Sequence, residues 1–84
     1  MNLIWATTAW NDYLYWQAKD KKVLKRINTL VKDVLREPYA GIGDPEPLRH
    51  HLNGYWSRRI NREHRLVYKL VDGELWITQC RHHY

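Results

Sequence analysis

The chain has 84 residues, a net charge of +5, and an aromatic content of five Trp and six Tyr without any Phe. This length predicts one domain, residues 1–84, and no apolar run reaches the roughly 18 residues that a membrane-spanning helix needs. The single cysteine, Cys80, excludes an internal disulfide and a cysteine-based zinc site, and is typical of a reducing compartment. We therefore expect a cytoplasmic protein without a signal peptide or a membrane segment.

Hydrophobic periodicity predicts a strand followed by two helices in the first half of the chain. Residues 2–5 are a short apolar strand, and Thr7 or Thr8 is expected to cap a first helix. Asp20 is expected to cap a second helix, which Pro38 ends. The apolar residues of this second helix recur three and four positions apart: Val23, Leu24, Ile27, Leu30, Val31, Val34 and Leu35. This spacing predicts that one helix face packs on a core.

The second half of the chain predicts a sheet. A loop rich in Pro and Gly at 38–47 is followed by alternating branched and aromatic residues, which are typical of strands. The predicted strands are 48–52, 55–60, 64–71 and 74–83. Asn53-Gly54 and Asp72-Gly73 are strong hairpin signals between them, and 61–64 is a weaker turn. The predicted fold is α+β in the order β-α-α-β-β-β-β, with two helices packed on one face of a small, antiparallel-rich sheet.

The net positive charge is concentrated in one quarter of the sequence. Residues 49–69 contain a single acid, Glu63, and six basic residues, which account for the whole net charge of +5. The basic residues are Arg49, Arg58, Arg59, Arg62, Arg65 and Lys69. Their interleaving with Tyr55, Trp56 and Tyr68 is typical of a nucleic-acid-binding surface, because arginine binds phosphate with two bonds and aromatic rings stack on bases. A solvated basic face is the alternative.

Side-chain alternation predicts which residues share a face of the sheet. Tyr68 is expected to face the core and Arg65 the open side, because adjacent residues of a strand point to opposite faces. Arg59, and a last strand that carries Arg81 and His83, can lie on that same open side. The register across the turns is not set by the sequence, so a shared face is a hypothesis.

Four residues form a set that is suited to cutting RNA without a metal. Glu46 lies between two prolines, which stiffen the backbone that carries its carboxylate. It can take the proton from a 2′-hydroxyl, and His83 can give a proton to the 5′-oxygen. Arg59 and Arg65 can hold the charge on the phosphorus. The two adjacent histidine pairs do not predict a metal site, because neighbours on a strand point apart, and we expect neither metal nor cofactor.

Motifs along essentially the whole chain resemble the YoeB-type toxins of the RelE superfamily. The segments that carry the resemblance are Leu3-Ile4-Trp5, Trp10-Asn11-Asp12-Tyr13, Pro45-Glu46-Pro47-Leu48-Arg49, Leu52–Ile60, His64-Arg65-Leu66-Val67-Tyr68 and Cys80-Arg81-His82-His83-Tyr84. The resemblance implies a toxin of a bacterial toxin–antitoxin pair, which enters the A site of the 30S ribosomal subunit and cuts mRNA. It also implies the fold described above, a cognate antitoxin and, often, a toxin homodimer.

The resemblance also implies roles for individual residues. The catalytic residues are Glu46 as general base, His83 as general acid and Arg65 in stabilising the transition state. The residues that bind RNA or phosphate are Arg49, Arg59 and Tyr84, of which Arg59 also stabilises the transition state. The family commonly has Lys where this chain has Arg49, and Arg replaces a point charge with a planar fork. Two other functions fit the same surface: a non-catalytic RNA- or ribosome-binding module, and a structural partner protein with an aromatic interface.

Overall fold

The computed structural model describes residues 1–82, which form two helices and a five-stranded sheet. In chain order the elements are β1 (Asn2–Trp5), α1 (Thr7–Lys19), α2 (Lys21–Arg36), β2 (Glu46–Pro47), a 3₁₀ turn (His50–Leu52), β3 (Trp56–Arg59), β4 (Arg65–Val71) and β5 (Glu74–Gln79). The strands lie in the order β1-β5-β4-β3-β2. All neighbours are antiparallel except β1 and β5, which pair in parallel. The predicted α+β fold with an antiparallel-rich sheet is confirmed.

The two helices begin in different ways. Asp20 caps α2 as predicted, since its carboxylate accepts from the backbone N–H groups of Lys22 and Val23. The predicted cap of α1 at Thr7 or Thr8 is wrong, because the N-cap residue is Ala6 and no side chain caps the helix. The backbone N–H of Ala6 donates to the carbonyl of Ile77 at 2.9 Å, so the pairing of β1 with β5 sets where α1 starts.

The core lies between the helices and one face of the sheet. On the sheet side it contains Leu66 and Tyr68 of β4 and Leu75 and Ile77 of β5, all fully buried. The buried helix residues that pack against them include Ala9, Trp16, Ile27, Leu30 and Val34. The predicted inward orientation of Tyr68 is therefore confirmed. We call the opposite side of the sheet the open face. Neither helix is long and apolar enough to cross a membrane, as far as residues 1–82 are concerned.

The region after the Pro/Gly loop differs from its prediction. Residues 48–52 are not a strand, because β3 pairs instead with Glu46–Pro47. Leu48 is buried and its N–H donates to the carbonyl of Tyr55, after which the chain turns into the 3₁₀ helix. The Asn53-Gly54 turn exists, with Gly54 at φ +95°, but it joins this 3₁₀ turn to β3 rather than joining two strands.

The last hairpin is formed by Asp72-Gly73, as predicted. Both residues have positive φ, 50° and 76°, as a type I′ turn between antiparallel strands requires. The strand that follows is shorter than predicted, since β5 ends at Gln79 and residues 80–82 leave the sheet. The predicted end at residue 83 lies outside the described residues.

Candidate active site

The strand register brings three of the predicted site residues onto the open face. Glu46 of β2 pairs with Ser57 of β3, and Arg59 of β3 pairs with Arg65 of β4. Ser57 and Arg59 are two residues apart, so all these side chains lie on one face. Directly opposed residues have Cβ atoms about 4.5–5.5 Å apart, and diagonal neighbours such as Glu46 and Arg59 about 7–8 Å, within reach of long side chains. Ser57 and Val67, both buried, complete the cross-strand row that Glu46 begins, next to the row of Arg59 and Arg65.

The opposed arginines favour an anion between them. Two like charges directly across a sheet repel each other, and a bound phosphate relieves that repulsion. Arg59 is exposed, whereas Arg65 is half-buried and its Nη1 donates to the carbonyls of Asn61 at 3.0 Å and His64 at 3.3 Å. Neither arginine makes an ion pair with any carboxylate in residues 1–82. The turn between β3 and β4 thus fixes one cation and leaves the other extended toward solvent.

Glu46 and Arg49 line the same concave surface. A cavity of about 530 Å³ is lined by residues 46–52, which include Glu46 and the 3₁₀ turn. Arg49 is exposed at the start of that turn. One acidic and one basic residue therefore border a volume that is open at the protein surface.

The loop that leads to Glu46 is anchored by a buried arginine, Arg58. Its side chain faces the core and is fully buried, and all five of its N–H donors have partners within the protein. Those partners are the carboxylate of Asp33, the carbonyls of Glu37, Ala40 and Ile42, and the hydroxyl of Tyr68. The prediction that Arg58 belongs to the nucleic-acid-binding surface is wrong. We call these contacts the Arg58 network.

The Arg58 network also shifts ionisation equilibria. The Arg58 guanidinium, with the N–H of Ile42, lowers the pKa of Asp33 from 3.8 to about 2. Burial raises the pKa of Tyr68, whose hydroxyl donates to the carbonyl of Pro38 at 2.6 Å. The carboxylate of Asp33 and the neutral phenol of Tyr68 are thereby kept in the forms that the network needs at neutral pH.

The loop then joins β3 by a close backbone contact. The carbonyl of Gly43 accepts from the N–H of Arg59 at 2.7 Å, just before the chain enters β2. Gly43 has φ +81°, and a Cβ there would lie 2.8 Å from Cδ2 of Leu30. Only glycine fits this conformation and approach without strain, so the path toward Glu46 is fixed at the backbone level.

Residues 80–82 leave the sheet, and the first two of them pack on α1. The N–H of Cys80 donates to Asp12 at 3.1 Å, and its carbonyl accepts from Trp16 Nε1 at 2.9 Å. The guanidinium of Arg81 lies 3.5 Å from the ring centre of Tyr15 of α1, so the hypothesis that Arg81 shares the open face does not hold. Burial raises the pKa of the Cys80 thiol to about 12, which excludes a thiolate nucleophile at neutral pH.

His82 is held between two residues at the start of β4. Its N–H donates to Nδ1 of His64 at 2.7 Å, and its carbonyl accepts from the N–H of Arg65 at 3.1 Å. Burial is the largest of the causes that lower the pKa of His64. His82 therefore lies directly beside one of the proposed catalytic cations. The predicted acid His83 and the RNA-binding residue Tyr84 lie outside the described residues.

Sequence reasoning missed two residues that organise this region, Arg58 and His64. Arg58 could have been found from strand alternation, because it is adjacent to Arg59 and must face the other side of β3. His64 carried no comparable signal, because its contact with His82 joins two segments whose relative position depends on the whole sheet. No group of three or more His, Cys, Asp or Glu residues that would hold a metal occurs among residues 1–82.

Comparison with known proteins decides the family. Residues 5–84 match the family model of YoeB-like toxins of bacterial type II toxin–antitoxin systems. The chain belongs to this family. It is 57% identical to Toxin YoeB of Escherichia coli K12 over 84 residues, which cover all of both chains. The resemblance seen in the motifs is confirmed, and the protein is a toxin of a type II toxin–antitoxin system.

Solved structures of the family share the fold. The structure called YoeB/ParE toxin from Agrobacterium tumefaciens is 46% identical, covers all of both chains and has a TM-score of 0.96. YoeB from Staphylococcus aureus has been solved as a dimer and in a heterotetrameric YoeB–YefM toxin–antitoxin complex. Both are 47% identical, with TM-scores of 0.91 and 0.90, over all of this chain and 98% of theirs.

Proposed function

We propose that this toxin is a ribosome-dependent endoribonuclease that cuts translated mRNA in the A site of the 30S subunit, in the cytoplasm. One observation carries the proposal: the register places Glu46 and the opposed pair Arg59 and Arg65 on one face, and His82 is bonded to Arg65. The carboxylate and the two cations that the proposal needs therefore lie on one face, and His82, which precedes the proposed acid His83, is bonded through its backbone to Arg65. A function that needs only binding has no use for a carboxylate on a surface that must attract phosphate.

The chemistry follows from these positions. The Glu46 carboxylate takes the proton of the 2′-hydroxyl, and the 2′-oxygen attacks the phosphorus. The bond between phosphorus and the 5′-oxygen breaks, and His83 gives its proton to that oxygen. The products are a 2′,3′-cyclic phosphate and a 5′-hydroxyl. Each proton transfer contributes roughly 10²–10⁴-fold, and Arg59 and Arg65 stabilise the negative charge that builds up on the phosphoryl oxygens.

The remaining site residues hold the substrate. Arg49 lies at the cavity that Glu46 lines, and there it binds a backbone phosphate through its planar fork. Tyr84 positions the RNA by stacking on a base, a contact worth roughly 1–3 kcal/mol. Neither residue has to exchange a proton with the RNA, so their loss should weaken positioning more than it changes the chemistry.

The same proposal includes protein partners. The Staphylococcus aureus relative has been solved both as a dimer and in a complex with the antitoxin YefM. We extend both assemblies to this chain: a cognate antitoxin that inhibits it, and a homodimer in the absence of ribosomes. The basic open face gives an acidic antitoxin segment the same electrostatic target as RNA.

The test is expression of the chain in bacteria, with cleavage sites mapped on a translated message. Glu46→Gln, Arg65→Ala and His83→Ala should each relieve growth arrest and lower cleavage by roughly 10²-fold or more. Lys25→Ala, at an exposed position of α2, is the matched control and should remain fully toxic. Full toxicity of all three folded site variants would instead support a non-catalytic ribosome-binding module.

The end groups of the products provide a second, independent result. Attack by the 2′-oxygen leaves a 5′-hydroxyl on the downstream fragment, which polynucleotide kinase labels directly. Fragments that require phosphatase treatment before labelling carry a 5′-phosphate, and would contradict Glu46 as the base for a 2′-hydroxyl.

A further inference from the structure

We propose that His64 is a positioning residue, whose Nδ1 holds the backbone of His82 in place beside Arg65. The proposal rests on the function proposed above, in which the next residue, His83, is the general acid. His64 itself transfers no proton to or from the RNA in this scheme. It acts through the hydrogen bond that Nδ1 accepts from the His82 N–H at 2.7 Å.

The backbone of His82 requires such support. Its φ is +69°, a region that side chains with a Cβ rarely adopt. A residue in this conformation persists when its surroundings hold it there, and His82 is held on both sides. Its N–H is bound by His64 and its carbonyl by the N–H of Arg65 at 3.1 Å. These two bonds therefore hold the N–H and the carbonyl of His82 in place.

The imidazole of His64 is fixed in turn by its neighbours. Its ring packs edge-on against Trp16, with ring centres 4.8 Å apart, and Trp16 Nε1 donates to the carbonyl of Cys80. The backbone N–H of His64 donates to Oδ1 of Asn61 at 2.9 Å, and this bond fixes the backbone of His64 itself. One aromatic side chain thus contacts both the imidazole and the segment that the imidazole holds.

The contact also requires one protonation state of His64. Nδ1 can accept only when it carries no proton, so the neutral ring has its proton on Nε2. Burial, His82 and Arg81 lower the pKa of His64, whereas Glu63 and Asp12 raise it, and the net direction is downward. The acceptor is therefore available at neutral pH. Acid removes it, because an imidazolium offers N–H groups on both nitrogens.

The experiment compares His64→Ala with His64→Asn. Asn retains an oxygen acceptor near the position of Nδ1 and does not titrate, so it separates loss of the hydrogen bond from loss of the ring. Gln17→Ala, at an exposed position of α1, is the control for substitution at a distance. The first readout is exchange of the His82 backbone amide, measured by NMR. It should be slow in the original chain and in His64→Asn, and fast in His64→Ala, with the Leu66 amide as an internal check that the sheet is intact.

The second readout is single-turnover cleavage on programmed ribosomes. His64→Ala should lower the maximal rate by roughly tenfold to a hundredfold while ribosome affinity is unchanged, because a displacement of about 1 Å can cost that much. His64→Asn should restore the rate. It should also preserve slow exchange of the His82 amide at pH values low enough to protonate His64, where the original chain loses it.

The outcomes separate the two proposals. A protected His82 amide in His64→Ala, or an unchanged cleavage rate in that variant, overturns the role of His64 while the proposed function stands. Absence of cleavage by the original chain overturns the proposed function, and the role of His64 in catalysis falls with it. Equal losses in His64→Ala and His64→Asn show that the ring is needed for packing, and also overturn the proposal.

Discussion

Arg58 and Arg59 are neighbours on β3, yet they lie on opposite faces of the sheet and have different surroundings. Arg58 is fully buried and uses all its donors inside the protein, on Asp33, Tyr68 and three carbonyls. Arg59 is exposed and is directly opposite Arg65, without a carboxylate partner within residues 1–82. The difference shows that positive charge in this toxin has two separate uses. The core arginine maintains the loop before Glu46, and the open-face arginines are available to bind an anion.

The largest expected effect is on stability, at the core arginine. Arg58→Ala should lower the free energy of unfolding by about 3–5 kcal/mol, because it leaves the half-buried Asp33 carboxylate and several carbonyls without their partner. Arg59→Ala, one residue away, should change it by no more than about 0.5 kcal/mol. Urea unfolding followed by circular dichroism measures both. Similar losses of unfolding free energy in the two variants would contradict the conclusion that only Arg58 stabilises the fold.

The next effect is on binding, at the open-face arginines. Ribosome affinity should fall as salt rises, since each neutralised phosphate releases counterions. Arg59→Ala should weaken binding and reduce the slope of log affinity against log salt by about one. Lys25→Ala, which removes an exposed positive charge from α2, is the charge-matched control and should leave the slope unchanged. Pelleting of ribosomes at several salt concentrations gives the slopes, and identical slopes in the two variants would argue against phosphate binding at Arg59.

The smallest expected effect is the pH dependence of stability that Asp33 causes, which appears only in acid. The pKa of Asp33 is about 2 in the folded protein and 3.8 without its partners, so its contribution to stability is fully present above pH 3.8. That contribution is lost as pH falls from 3.8 toward 2. The difference in unfolding free energy between the original chain and Asp33→Asn should therefore be constant above this range and become smaller within it. Denaturant titrations across pH 2–6 provide the test. If the difference in unfolding free energy stays constant over this whole range, the Arg58 network does not lower the pKa of Asp33.

The local features of the fold could be predicted from the sequence because their causes are local. The Asp20 cap and the Asp72-Gly73 turn depend on residues only a few positions apart. Residues 48–52 were mispredicted because their alternating pattern fits a strand, whereas the edge of β3 is occupied by Glu46–Pro47. Which segment occupies that edge depends on the anchored loop before it, and therefore on Arg58.

For the candidate site, the sequence could name residues but not their arrangement. Residue type and resemblance singled out Glu46, Arg59 and Arg65, and the register then placed them on one face. Charge alone could not separate Arg58 from Arg59, because burial of an arginine depends on partners that lie far away in the sequence. The departure of residues 80–82 from the sheet was missed for a similar reason, since Asp12 and Trp16 of α1 hold them.

The parallel pairing of β1 with β5 has a consequence for the synthesis of this toxin. Asn2 pairs with Glu74 and Trp5 with Ile77, so the first strand made has no partner strand until β5 has been made. Such contacts between distant parts of the sequence form slowly, because a long loop must close first. A nascent chain that still lacks β5 leaves β1 unpaired and the core between the helices and the sheet incomplete. The fold therefore couples completion of this sheet to the emergence of β5, which is made about 70 residues after β1 begins.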